Sequence, residues 1–178
     1  MINIQTLANT NNAVILTLGA IKFNRNIPLP PLEKCDTFYE RIYSHSCEAI
    51  GLVSDIEKIN WWIQRNNSES KYEAIINPLR KNIYFVLKEF KKWVGFSSNY
   101  KIWSPRNDYI ILENAYNACG LKKPWSFFKT RDTKTLFDIF NRDIDYNSLL
   151  NYHSLYDAHN LVLELQKSII IFDSRCGK

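Results

Sequence analysis

Residues 2–23 read INIQTLANTNNAVILTLGAIKF, and their alternation decides the fold. From Val14 to Phe23 the run is β-branched and apolar and reads as a strand. Asn3 and Gln5 stand two apart at the start of a first strand, so alternation puts both on one face. Thr37 to Tyr43 alternates Phe38, Glu40 and Ile42 and reads as a further strand. Helices follow. Asp55 to Gln64 opens with Ser54 ahead of Glu57, a capping box. Pro78 to Val94 carries Leu79, Ile83, Val86, Leu87, Phe90 and Trp93 at helical spacing, with proline at its start. Lys101 to Ser104 is a candidate short buried strand. Asp108 to Cys119 is a helix stopped by Gly120, and Thr133 to Phe140 is a short helix. His153 to Ile171 forms the last, with Leu155, Ala158, Leu161, Val162, Leu165 and Ile169 as its apolar stripe. Early strands and later alternating helices give an α/β class with a small mixed sheet covered by helices.

The chain has 178 residues, within the usual span of one domain, and no linker or repeat divides it, so residues 1–178 read as a single domain. Hydrophobic residues make up 46% and aromatics 14%, enough for a packed core and too many for a disordered chain. The longest mainly apolar run near a terminus, Ala13–Leu18, is far short of a membrane span, and the N-terminus lacks secretory features. The expectation is a soluble, cytoplasmic protein. Cys35, Cys47, Cys119 and Cys176 are spaced by 12, 72 and 57, which matches no metal-binding pattern and reads as reduced, partly buried thiols.

Lys and Arg number 23 against 18 Asp and Glu, a net charge of +5. The pI is near 9.0. The cations cluster at Arg80-Lys81, Lys88 to Lys92, Lys122-Lys123 and Lys129 to Lys134, with Phe90, Trp93, Trp125, Phe127 and Phe128 among them. Cations hold phosphates and aromatic faces stack bases, which suits single-stranded nucleic acid. The plainer reading of each cluster is a solvated helix face with its aromatics on the buried side.

Three places carry further signal: Asn3-Ile4-Gln5-Thr6 with Ala13 to Leu16 and Gly19-Ala20; Trp103 to Leu112 with Asp108 opening a helix; and Tyr152-His153-Ser154-Leu155-Tyr156-Asp157-Ala158. With Trp61-Trp62 followed by Gln64, Pro124-Trp125, and Arg131-Asp132 before Thr135, their order resembles the DEDD superfamily of 3′-5′ exonucleases. The nearest branch is the exonuclease A type of T-even phages and its bacterial relatives. The resemblance spans residues 1 to about 170. It implies a ribonuclease H-like fold with a central mixed five-stranded sheet flanked by helices. It also implies removal of nucleoside monophosphates from a single-stranded RNA or DNA 3′ end. Two Mg²⁺ or Mn²⁺ ions about 4 Å apart would clamp the scissile phosphate. Hard divalent cations take anionic oxygen ligands, and the family supplies four carboxylates.

By resemblance Asp108 and Asp157 keep two of those metal roles, while Asn3 and Gln5 stand where Asp and Glu belong. Each exchange keeps the shape and removes one charge, so metal affinity and catalysis are expected to collapse. Two minimal amide exchanges at one centre suggest deliberate inactivation over drift, a reading that Asn and Gln codons in the natural gene would overturn. The alternative is that both are polar edges of a strand. For the general base the family places His five, or Tyr four, residues before the last Asp; here Tyr152 and His153 have exchanged places. His153 is favoured, because a pKa near 6.5 suits proton removal at neutral pH. By resemblance Thr6 and Leu7 pack the terminal nucleotide. Trp61 and Trp62, adjacent on a helix, cannot face one way, so one is expected to stack bases and one to be core. Arg106 and Arg131 are candidate phosphate contacts. Two other readings stay open: a catalytically dead nucleic-acid-binding protein of the same fold, and an unrelated α/β domain whose basic patches bind a protein or nothing.

Overall fold

The computed structural model describes residues 1–64, 78–95, 100–105, 107–140, 144 and 152–175. Strands β1 (Ile2–Thr6), β2 (Ile15–Ile21) and β3 (Thr37–Arg41) form an antiparallel sheet in the order β1-β2-β3. Strand β2 is buried along its whole length because both faces are covered. Its even positions, Leu16, Leu18 and Ala20, join Ile2 and Ile4 in a core completed by Val86, Leu87, Phe90 and Leu112. Ile21 faces a second core made of Met1, Phe137, Ala158, Leu161, Val162 and Leu165. Register pairs Asn3 with Gly19 and Gln5 with Thr17, so these four residues lie on the face of the second core.

Among the described residues the helices are α1 (Ser44–Glu48), α2 (Ile56–Gln64), α3 (Ile83–Val94), α4 (Asp108–Ala118), α5 (Thr133–Ile139) and α6 (Ser154–Arg175). Two starts differ from the sequence reading. The first turn of α2 is capped by Asp55, whose Oδ1 accepts from Glu57 N at 2.8 Å, while Ser54 donates to Glu48 instead. Helix α3 begins at Ile83, not at Pro78, because Asn82 caps it by accepting from Tyr84 N at 2.9 Å. Helix α4 ends as expected at Gly120. There φ is +64°, and Leu121 N and Gly120 N return to the carbonyls of Tyr116 and Asn117.

Strands β4 (Ile102–Ser104) and β5 (Thr130–Asp132) pair in parallel as a separate two-stranded sheet, so the expected five-stranded sheet is not formed. Strand β4 lies beside β1, but no ladder joins them. The hydrogen-bonded pair Met1–Ile21 fixes which β1 groups face β2, and Ile4 N–H points to the other edge. That donor goes to Asp108 Oδ2 at 3.1 Å instead of to a β4 carbonyl. A carboxylate at the head of α4 has taken a bond that a β1–β4 ladder would use.

Candidate active site

The site begins with a close backbone approach. The head of α6 rests on β2 at Gly19, where a Cβ would collide with Leu155 N and with the Ser154 carbonyl. Only glycine permits that spacing, and Gly19 is the register partner of Asn3. One turn into the helix, Asp157 is fully buried, and its own N–H is bonded to the His153 carbonyl at 2.9 Å. The contact therefore delivers the Asp157 carboxylate to the polar face of β1. Four fully buried apolar side chains behind it, Ala158, Leu161, Val162 and Leu165, hold the helix down. Each leucine there is worth about 2 kcal/mol.

Gln5 Nε2 donates to Asp157 Oδ2 at 2.9 Å and, more weakly, to Asn3 Oδ1 at 3.4 Å. This orientation is determined physically. Turning the Gln5 amide over would press its oxygen against a carboxylate oxygen, so the NH₂ must face Asp157. Asp108, 104 positions from Ile4, joins the same strand through the Ile4 N–H. The beginning, middle and end of the chain thus meet at β1.

A cavity of about 400 Å³ opens at this point. Asn3, Gln5, Thr6, Trp61, Asp108 and Tyr152 line it. Trp61 is half-buried, with Lys58 Nζ 4.2 Å from its ring centroid. Trp62 is fully buried and donates Nε1–H to the Thr6 carbonyl at 3.0 Å, which ties α2 to the end of β1. Tyr152 packs edge-on to Trp61 at 5.3 Å and has φ of +60°, the one positive-φ non-glycine residue among those described. Such backbone conformations cost free energy and cluster at functional sites. His153 turns elsewhere: its ring stacks on Tyr39 at 4.5 Å and meets Tyr156 edge-on at 4.6 Å.

Three other expected contacts are not brought to this cavity or cannot be placed. Leu7 is core and lines a different cavity, with Leu16 and Tyr43. Arg131, on β5, donates to the carbonyls of Phe128 and Thr130. Arg106 lies outside the described residues. The sequence reading missed Lys58, the polar loop Asn9-Thr10-Asn11 and Asn107, all on the cavity wall. The signal for Lys58 was present, since it precedes Trp61 by three on α2 and shares its face.

The donor set does not fit a pair of divalent ions. Two carboxylates, Asp108 and Asp157, stand with two neutral amides, Asn3 and Gln5, whereas hard divalent ions take anionic oxygen ligands. One oxygen of Asp157 is taken by the Gln5 NH₂ and one oxygen of Asp108 by the Ile4 N–H. Among the described residues no group of three or more His, Cys, Asp or Glu side chains is placed to hold a metal.

The scaffold is α/β, and it gathers the start, middle and end of its chain at a polar cleft walled by a tryptophan and a lysine. Residues 1–168 match the family described as 3'-5' exoribonuclease Rv2179c-like domain, and the chain belongs to that family. Membership makes nucleic acid the substrate class and hydrolytic nuclease the activity class. No curated protein and no solved structure matches the chain.

Proposed function

We propose that this domain is a DEDD-type exonuclease scaffold with a ribonuclease H-like layout, which receives a single-stranded 3′ end in the cavity beside β1. In the present chain the metal centre is disabled. The hydrogen bond from Gln5 to Asp157 carries the reading. A glutamate at that position would set an anionic oxygen beside Asp157 for a cation to bridge. The glutamine instead bridges Asp157 and Asn3 with its own NH₂. The cavity keeps what a strand needs: Trp61 offers a stacking face, Lys58 a cation beside it, and Thr6 an acceptor oxygen whose proton goes to the Ala8 carbonyl. Tyr152, being on the cavity wall, is the member of the Tyr152–His153 pair that can order a water against the phosphate. The binding-only reading gains from the same hydrogen bond, because a site satisfied internally needs no ion to stay folded.

The test restores the charges. Asn3→Asp with Gln5→Glu, given Mn²⁺ and a 5′-labelled single-stranded RNA, is expected to yield products shortened from the 3′ end, and the present chain to yield none. A DNA strand of the same sequence reports sugar preference. A restored protein that binds RNA and never cuts it supports the binding-only reading. If neither form binds in a salt-dependent way, the domain is not acting on nucleic acid.

A further inference from the structure

A second cavity, of about 610 Å³, opens at the other end of β1, where Met1 and Ile2 meet the end of β2, the last turns of α3 and residues 100–103. That volume falls in the range of small-molecule sites. Its wall is aromatic. Phe90 and Trp93 stack with centroids 5.7 Å apart and planes 24° apart, and Tyr100 is 40% exposed. Trp93 is pinned, because its Nε1–H donates to Asp36 Oδ1 at 2.8 Å. Asp36 Oδ2 also pairs with Lys22 at 3.1 Å. Lys22 Nζ in turn sits 4.7 Å from the Trp93 centroid and 5.6 Å from that of Tyr100. Arg25 and Lys101 also line it, so with Lys22 paired to Asp36 two further cations face the cavity. A pinned Trp93 beside an exposed Tyr100, with surplus positive charge, matches a planar, electron-rich ring that carries an anion.

We propose that this cavity is a nucleotide site distinct from the cleft at Asn3 and Gln5. The base lies against Tyr100 and the accessible part of Trp93, and the phosphate is held by Lys101, Lys22 and Arg25. A nucleobase bearing a phosphate can arrive as a free nucleoside monophosphate or as one nucleotide of a single strand, and the chemistry of the pocket is the same for both. The proposal stands whether or not the other cleft cuts, since it uses none of that cleft's residues.

The test combines Tyr100→Ala with Lys101→Glu. Both side chains are exposed, so an unchanged melting temperature is expected to show an intact fold. AMP binding is measured by calorimetry, and binding of fluorescein-labelled pentaadenylate by anisotropy across a salt series. The double variant is expected to weaken binding about tenfold and to flatten the salt slope by roughly one. Full competition by AMP identifies a free mononucleotide as the ligand, and binding of the strand alone identifies a strand segment. Unchanged affinity for both probes in the folded double variant overturns the pocket, as does a native chain that binds neither. A Trp61→Ala arm separates the two sites. Strand binding lost there and kept in the double variant leaves the exonuclease cleft and removes this pocket. The reverse pattern keeps the pocket and removes the cleft.

Discussion

The two ends of β1 solve opposite problems. Along its polar face, toward the C-terminal end, the half-buried Gln5 donates to Asp157 and, more weakly, to the buried Asn3. At its N-terminal end the wall is aromatic, the surplus charge is positive, and the cavity is larger. At one end neutral amides bridge a carboxylate; at the other, Lys22 and Trp93 share Asp36, while Lys101 and Tyr100 are exposed. Exposed cations beside accessible ring faces gain by binding an anionic ring, whereas internal hydrogen bonds among buried groups add stability.

Gly19→Ala gives the largest expected effect and bears on the amide end. The new methyl meets backbone on both sides, which cannot swing aside, so the cost should exceed about 4 kcal/mol. Thermal unfolding reads it; a melting temperature within about 2 °C of the native chain would mean that α6 does not touch β2 there.

The N-terminal end should respond to pH through its buried amine. Burial lowers the Met1 amine from 8.0 to about 5, and it donates to the Ile21 carbonyl at 2.8 Å. The unfolded amine binds protons up to its ordinary pKa, so between these values the unfolded state holds more protons. Stability therefore rises with pH across that window, by at most about 1.4 kcal/mol per pH unit, and levels off above it. Urea titrations from pH 5 to 8 measure the slope; a flat profile refutes the buried amine.

Gln5→Glu by itself should cost about 2 kcal/mol at neutral pH without metal, because it sets a second carboxylate against Asp157. Two carboxylates sharing a site raise a folded-state pKa above its unfolded value. The native state then binds the extra proton, so the deficit grows as pH rises and shrinks as pH falls. A variant as stable as the native chain at pH 7 would show that Gln5 and Asp157 are not in contact.

Alternation already put Asn3 and Gln5 on one face, and the apolar stripe of the last helix already singled out the side that carries Ala158, Leu161, Val162 and Leu165. The split between Trp61 and Trp62 followed from their adjacency on a helix. The starts read at Ser54 and Pro78 were displaced because a side chain further along, Asp55 one residue on and Asn82 four residues on, reached the free N–H groups first. The expected five-stranded sheet is divided between β1 and β4, and the outward Ile4 N–H goes to Asp108 Oδ2, a partner that no local pattern contains.

The division is between periodicity and closure. Which residues share a face is set by the repeat of the local backbone, and neighbouring positions in the chain suffice to read it. Which group occupies the far side of that face depends on packing between segments separated by a hundred positions or more. Only folding brought Asp157 to Gln5, put Tyr152 into the cavity while His153 turned to Tyr39, and opened an aromatic, cationic hollow at the far end of the same strand.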